Sequence, residues 1–506
     1  MAQETELKLS LAADDLPRLL AHPLLRTTPR RQHLLNTYFD TPTLQLRQQR
    51  MAVRERVVGR QTLLTVKTAG QSVGGLSRRG EWEAPTRPGA FDFASLVDDP
   101  TLAAALSRVA WQLVPVFRTD FHRRTWWLDH AGARIEVALD EGAITSGAAL
   151  AQPILELELE LLDGPVDALL DLAHTLALGP EGDARHALRL RPAQRSKAER
   201  GYALFLGERA QPVKAAPLAL QPDMHPVEAF RAAALSCLAH LQANEDGVQL
   251  PEPDPEFVHQ ARVALRRLRT GLRLFQRHLP PRFARHWAAE WKALAQTLGE
   301  ARNWDVLVTE TLSARLPETD RSPSARALRE WVQAQRQVAD MRAAAALASP
   351  AHALRVLAFT RGMLALSAPD AKAQGKALAR WAAAHLRRRH ARLRQQAREA
   401  RQAGPEGRHA LRLAVKQQRY ALEFLASLLP AKRAAQAAAT LADAQALLGD
   451  LNDLTTAQFL LAEVPAGLAD QAVAEVQERL TEALSMGLRG LPRLERGLER
   501  TERPWG

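Results

Sequence analysis

Over the first 210 residues, apolar and polar positions alternate in short runs with a period of two. In ETELKLS (4–10), Glu4, Glu6 and Lys8 fall on one side and Leu7 and Leu9 on the other, as successive side chains of an extended strand must. The runs LNTYFDTP (35–42), MAVRERVV (51–58), TLLTVKTAG (62–70), RRGEWEA (78–84), FRTDFHRRTWWLD (117–129), ARIEVALDEG (133–142) and ILELELELLDG (154–164) read the same way, bounded by Gly, Pro or Asp turn residues. Helical periodicity in this half is confined to about 14–21, 91–110 and 165–178. The pattern predicts a mostly antiparallel β domain with helices packed outside it.

Beyond residue 222 the period becomes that of a helix. Ala, Leu, Arg and Gln recur at 3.6-residue spacing with no strand runs, which predicts an all-α domain of eight to ten helices. The segment also repeats. PEFVHQARVALRRLRTGLRLF (255–275) matches PEGRHALRLAVKQQRYALEFL (405–425), and LGEARNWDV (298–306) matches LGDLNDLTT (448–456), both at an offset of 150 residues. Two homologous helical bundles about a pseudo-twofold axis follow, at about 222–350 and 372–500. The two halves meet in GERAQPVKAAPLALQPDMHP (207–226), whose four prolines and lack of apolar period mark a linker. The organisation expected is therefore α+β and multidomain: 1–208, a linker at 209–221, and 222–506.

At 506 residues the chain is too long for one core, and its single cysteine, Cys237, can form no internal disulfide, which fits a reducing, cytoplasmic setting. Nowhere do 18 apolar residues run together, so no membrane partner is expected. The net charge of +12 is unevenly placed: residues 1–210 carry 26 basic and 26 acidic side chains, and 211–506 carry 42 and 30. Two electrostatic roles are implied.

The polar faces of the strands are not a random solvent mixture. Glu156, Glu158 and Glu160 share one face, Glu136 and Asp140 another, Glu81 and Glu83 a third, and Arg54 with Arg56 a fourth. Full charges segregated strand by strand, opposite leucine-rich faces, fit a closed barrel with a polar interior and helices over its apolar exterior. Three carboxylates on alternate positions of one strand repel one another at about 7 Å spacing and call for cations. Carboxylate oxygens suit Mg²⁺ or Mn²⁺, while Arg and Lys suit phosphate oxygens. Metal-assisted phosphoryl transfer is the chemistry that needs both walls.

ETELKLS resembles the ExExK signature of the CYTH superfamily, the triphosphate tunnel metalloenzymes, and VRER, LTVK, GEWE, DFHR, ALDEG, ELELE and SKAERGY (196–202) are similar to its later motifs in order. The resemblance implies an eight-stranded antiparallel tunnel that acts on triphosphorylated substrates with Mg²⁺ or Mn²⁺. It implies Glu4, Glu6, Asp140, Glu156 and Glu158 as metal carboxylates, Lys8, Arg54, Arg56, Lys67, Arg123 and Lys197 as triphosphate ligands, and Glu4, Glu6 and Lys8 as the catalytic set. Where many members have Lys-x-Arg, this chain has Phe121 before Arg123, with Arg118 and Arg124 nearby, which leaves the inward face of that strand open.

In the helical half the basic residues form a stripe. His259, Arg262, Arg266, Arg269 and Arg273 sit at offsets 0, 3, 7, 10 and 14, an arc of roughly 80°. His409, Arg412, Lys416 and Arg419 reuse the first four offsets. Ala261, Leu265, Leu268, Leu272 and Phe275 lie opposite. With almost no acidic partner one turn away, the stripe repels itself unless an anion intervenes. Few aromatics accompany it, so base stacking has little to work with and nucleic acid fits less well than a featureless polyanion. The duplicated stripes resemble the CHAD domain, a helical module with characteristic histidines, and the resemblance implies binding of long-chain polyphosphate. CYTH–CHAD proteins of this order resemble bacterial inorganic triphosphatases. The expected function is hydrolysis of tripolyphosphate to pyrophosphate and phosphate, in the cytoplasm or at polyphosphate granules. The alternatives are a non-catalytic polyphosphate scaffold, and a nucleoside or thiamine triphosphatase or adenylate cyclase.

Overall fold

The computed structural model describes residues 2–68, 71–73, 76–147, 151–193, 195–367, 377–400, 404–500 and 505, without the side chains of 2–4, 71–73, 76–79, 377 and 405. The chain divides into two units. One is Met1–Gln211 together with Ala348–Ala365, and the other is Pro212–Leu347 together with Leu366–Gly506.

Among the described residues, ten strands build the first unit: β1 (Ala2–Leu11), β2 (Arg30–Asp40), β3 (Ala52–Val58), β4 (Gln61–Lys67), β5 (Gln71–Val73), β6 (Leu76–Thr86), β7 (Val114–His130), β8 (Ala133–Thr145), β9 (Gln152–Asp163) and β10 (Leu190–Pro192). The order is β10-β1-β9-β8-β7-β2-β3-β4-β6-β5, and β1 also pairs with β6. That extra pairing closes an antiparallel circuit of eight strands, as the family resemblance implies. The three-residue β5 and β10 hang from β6 and β1 and are too short to leave a periodic signal.

Alternation explains the two faces. Leu7, Leu9 and Leu11 of β1 and Leu157 and Leu159 of β9 point outward into a buried cluster with Leu169, Leu170, Leu172 and Leu176 of an outer helix. Six helices accompany these strands in sequence: α1 (Leu16–Leu20), α2 (Gln45–Gln48), α3 (Phe93–Leu96), α4 (Pro100–Val109), α5 (Asp167–Ala177) and α6 (Lys197–Phe205). A second outer cluster joins Val53, Leu64 and Val66 to Phe93, Val97 and Leu106 of α3, α4 and their connection. Apolar inward positions, including Leu34, Tyr38, Phe117, Phe121, Ile144 and Ile154, are covered by Ala198, Tyr202 and Leu204 of α6. Gly201 permits that approach, since a β-carbon there would run into the Phe117 ring.

The helices from residue 226 onward are α7 (Pro226–Val248), α8 (Pro255–Leu274), α9 (Pro281–Val306), α10 (Pro323–Ala348), α11 (Pro350–Leu364), α12 (Ala377–Glu399), α13 (Pro405–Leu425), α14 (Ala431–Leu461), α15 (Asp470–Leu488) and α16 (Leu491–Arg500). Among the described residues this gives ten helices, none long and apolar enough by itself to cross a membrane. The repeated segments become α8 and α13, which pack together in the second unit. Arg267 of α8 is fully buried there, ion-paired with Glu423 of α13 at 2.8 Å and placed over the Phe424 ring. Cys237 is buried too, and burial pushes its thiol up to about 12, which makes it inert.

One helix departs from the contiguous two-domain organisation. Helix α11 belongs to the first unit, packed on α5 and β10 with Leu354 and Leu357 in the outer cluster beside β1 and β9. Arg361 bonds Asp171 of α5 at 2.6 Å, and Asp171 also holds His130 at 2.8 Å. Leu357 is entirely buried, so Leu357→Ala should destabilise the β unit by about 2–5 kcal/mol. Urea-dependent proteolysis, with fragments of 1–211 identified by mass, measures this shift. An unchanged midpoint for those fragments would mean that α11 contributes nothing to the unit.

Candidate active site and anion cluster

Parity along each strand brings the predicted charges together inside the barrel. Directly opposed residues run Ser10–Glu156 and Lys8–Glu158 between β1 and β9, Glu156–Asp140 between β9 and β8, Asp140–Arg123 between β8 and β7, Arg54–Thr65 between β3 and β4, and Thr65–Glu83 and Lys67–Glu81 between β4 and β6. Glu6 faces Glu160 on β9 and is ion-paired with Lys8 at 2.9 Å. Glu4 lies on the same face of β1 by parity, with its side chain outside the described residues. The opening at Phe121 resolves simply: Arg123 points inward, Arg124 pairs outside with Glu141 at 2.9 Å, and Arg118 is exposed.

At the centre stand Asp140, Glu156 and Glu158, each offering a carboxylate oxygen within 4.8 Å of the other two. Asp140 has no solvent exposure. Arg123 donates through Nε and Nη2 to Asp140, both at 2.7 Å, and reaches Glu158 at 2.5 Å. Lys197 bonds Asp140 at 2.7 Å, Glu158 at 3.0 Å and also Glu156, which accepts from Arg200 at 3.1 Å. Burial alone would raise the Glu158 carboxyl, but Lys197, Arg123 and Lys8 outweigh it and hold the group well below the usual carboxylate range. The same carboxylates overcome burial to hold the Lys197 ammonium above its ordinary value.

SKAERGY explains how Lys197 reaches this place. Ser196 accepts from Glu199 N–H at 3.2 Å while Glu199 accepts from Ser196 N–H at 2.8 Å, a reciprocal cap that fixes the first turn of α6. Lys197, the first helical residue, is thereby set over the inward faces of β8 and β9.

The basic wall is Arg54, Arg56 and Lys67. Lys67 meets Glu81 at 2.5 Å and Arg56 meets Glu83 at 3.3 Å, while Arg54 bonds the Tyr38 hydroxyl at 3.2 Å. Burial, with Arg54 and Arg123 close by, pushes the Arg56 guanidinium down to about 10. The roles of Glu81, Glu83 and Arg200 as partners were not assigned from the sequence, although GEWE and SKAERGY contain them.

In the second unit the two stripes meet. Arg262 and Arg266 of α8 and Arg412 and Lys416 of α13 stand within electrostatic reach of one another, joined by His259 and by Arg302 of α9, with Asp453 of α14 as a nearby carboxylate. Burial, then the neighbouring cations, push Arg262 down to about 10, Lys416 to about 6 and His259 to about 4. Among the described residues, the Nε atoms of Arg266 and Arg412 are buried without a hydrogen-bond partner. Such a set is poised for an anion. Arg269 and Arg419 are half-buried, whereas Arg273 and His409 are exposed. Arg273 lies near Arg389 of α12 rather than in the central group. Arg302 was not anticipated, because its counterpart in the second repeat is Asn452.

The CYTH domain model matches residues 2–202, and the CHAD domain model matches 232–462. An inorganic triphosphatase of Haemophilus influenzae is 36% identical over 217 residues; the match spans 40% of this chain and 55% of that protein's length. The crystal structure of a CHAD domain from the plant Ricinus communis is similar at 32% identity and TM-score 0.51, covering 58% of this chain and 99% of that one. An adenylyl cyclase from Hippeastrum, described as having a dominant triphosphatase activity, aligns at 19% identity and TM-score 0.30 over 41% of this chain and 98% of its own. By these matches the chain carries a CYTH domain at 2–202 followed by a CHAD domain at 232–462.

Proposed function

We propose that this protein is a metal-dependent inorganic triphosphatase that hydrolyses tripolyphosphate to pyrophosphate and phosphate, with a helical domain that binds long-chain polyphosphate. The observation that carries the reading is the buried set Asp140, Glu156 and Glu158 inside a closed barrel, facing Arg54, Arg56 and Lys67 across the interior. Three convergent carboxylate oxygens suit a hard divalent cation, Mg²⁺ or Mn²⁺, and Glu6 on the adjoining strand, with Glu4 by parity, extends the donor set. When bound, such an ion neutralises phosphate charge and lowers the pKa of a coordinated water.

The remaining work falls to this chain's own side chains. Arg54, Arg56, Lys67 and Lys8 grip phosphate oxygens, and their burial strengthens each contact relative to water. Lys197 and Arg123, bridging the carboxylates, lie where charge on a leaving phosphate is best compensated. Among the described residues the interior aromatics are already engaged: Phe117 stacks on Tyr38 and meets Tyr202 of α6 edge-on, and Phe121 lies beneath Arg123 and Lys197. Tripolyphosphate is therefore favoured over decorated triphosphates.

The test is phosphate release from tripolyphosphate, pyrophosphate, ATP and thiamine triphosphate, each with Mg²⁺ and with Mn²⁺. Tripolyphosphate should exceed ATP in kcat/KM by about a hundredfold or more, the scale set by misplacing reacting groups. Preference for ATP with cyclic AMP among the products would establish the cyclase reading. No turnover of any substrate would leave a binding scaffold.

A further inference from the structure

Lys197 occupies an unusual position for a phosphate ligand. The residue is 6% exposed, and its ammonium is bonded to all three carboxylates of the candidate metal set. Arg123 spans two of the same three. Metal and phosphate would thus use groups that already satisfy each other.

A buried charge deprived of its partner is costly, because neither water nor a second counter-ion replaces what was lost. A divalent ion bound alone to Asp140, Glu156 and Glu158 would strip Lys197 and Arg123 of their acceptors. A triphosphate bound alone to Lys197 and Arg123 would leave three carboxylates crowded together. Bound as a pair, each ligand relieves the cost that the other creates: the metal takes the carboxylates, and phosphoryl oxygens accept from the released cations.

We propose that Lys197 is a counter-cation that excludes metal from the carboxylate set until phosphate draws it away, so that metal and triphosphate bind with positive coupling. The proposal rests on the triphosphatase reading above. It makes Lys197 a positioning residue for the metal as well as a phosphate ligand. The barrel then selects the metal–triphosphate complex over either free ion, by an exchange of ion-pair partners rather than by a change of fold.

The test uses the full-length chain and measures phosphate-free Mn²⁺ binding by calorimetry. Lys197→Met removes the competitor, so its Mn²⁺ affinity should rise by about tenfold over the native protein, while its affinity for imidotriphosphate in EDTA falls. Unchanged or weaker Mn²⁺ binding would overturn the proposal. Because a missing cation amid three carboxylates can compromise folding, a second measurement uses the native protein. Lysine methylation followed by mass spectrometry should show Lys197 more reactive when Mn²⁺ is added and protected again by imidotriphosphate. Labelling that stays constant or falls with Mn²⁺ would also overturn it. A Glu156→Gln/Glu158→Gln protein that still binds Mn²⁺ with native affinity would show that the ion sits elsewhere, and would defeat the parent reading instead.

Discussion

Glu158→Gln should leave the barrel folded and lower kcat/KM for tripolyphosphate by about three orders of magnitude, the scale seen when a preorganised charge is removed from a buried reaction centre. Glutamine keeps the size of the side chain and one oxygen that can accept from either Arg123 or Lys197, which bond different oxygens of the carboxylate, so the packing around β8 and β9 is largely preserved. Asp140 and Glu156 still balance the two cations, which limits the loss of stability. What disappears is the negative charge that a hard cation requires. Phosphate release at saturating Mg²⁺ and Mn²⁺, beside a thermal melt, separates these effects. Near-native turnover would show that the three-carboxylate set is structural.

The second large effect concerns the helical unit. Changing Arg262, Arg266, Arg412 and Lys416 together to Gln should reduce long-chain polyphosphate affinity by about a hundredfold or more. The slope of log affinity against log salt should also fall by about three, at roughly 0.7 per lost contact on a flexible polyanion. These four cations repel one another in a half-buried setting, so their removal should leave the melting temperature unchanged or raise it. Binding is followed in EDTA by calorimetry on the full chain, and tripolyphosphate cleavage by the same variant should persist. The native protein should add a pH signature. Burial and the Arg412, Arg266 and Arg262 charges depress Lys416 to about 6, with Asp453 opposing them, so the free site holds a neutral amine near pH 7.5. A polyanion favours the charged form, binding takes up a proton, and affinity should rise as pH falls from about 8 to 6, then level off. Unchanged affinity in the quadruple variant would identify the stripes as solvated faces.

The barrel's inner face was legible because parity is local: once β1 and β9 are strands, Leu7 and Leu157 assign Glu6, Lys8, Glu156 and Glu158 to the other side whatever the rest of the chain does. The partners of Lys197 were not legible, since they depend on how α6 crosses β8 and β9, which no alternation encodes. The helical stripe was visible by its angle, but Arg267 lies about 80° away from it and reads as a surface residue. Helix α11 left no clue at all. Its amphipathic pattern serves a bundle or a barrel equally well, and only the docked position of Leu357 distinguishes them.

That docked helix bears on how the protein is made. The β unit leaves the ribosome first, yet it lacks α11 until about 150 further residues have been added, by which time α7 to α10 have also emerged. At 5–20 residues per second the nascent barrel waits roughly 8–30 s with the α11-facing side of α5 uncovered, a window in which chaperones compete with aggregation. A message truncated between codons 212 and 350 yields a barrel with the same bare patch, which exposes it to proteolysis. Completion of the barrel is thereby tied to synthesis of roughly the first half of the helical unit, because the order of synthesis penalises the one made without the other.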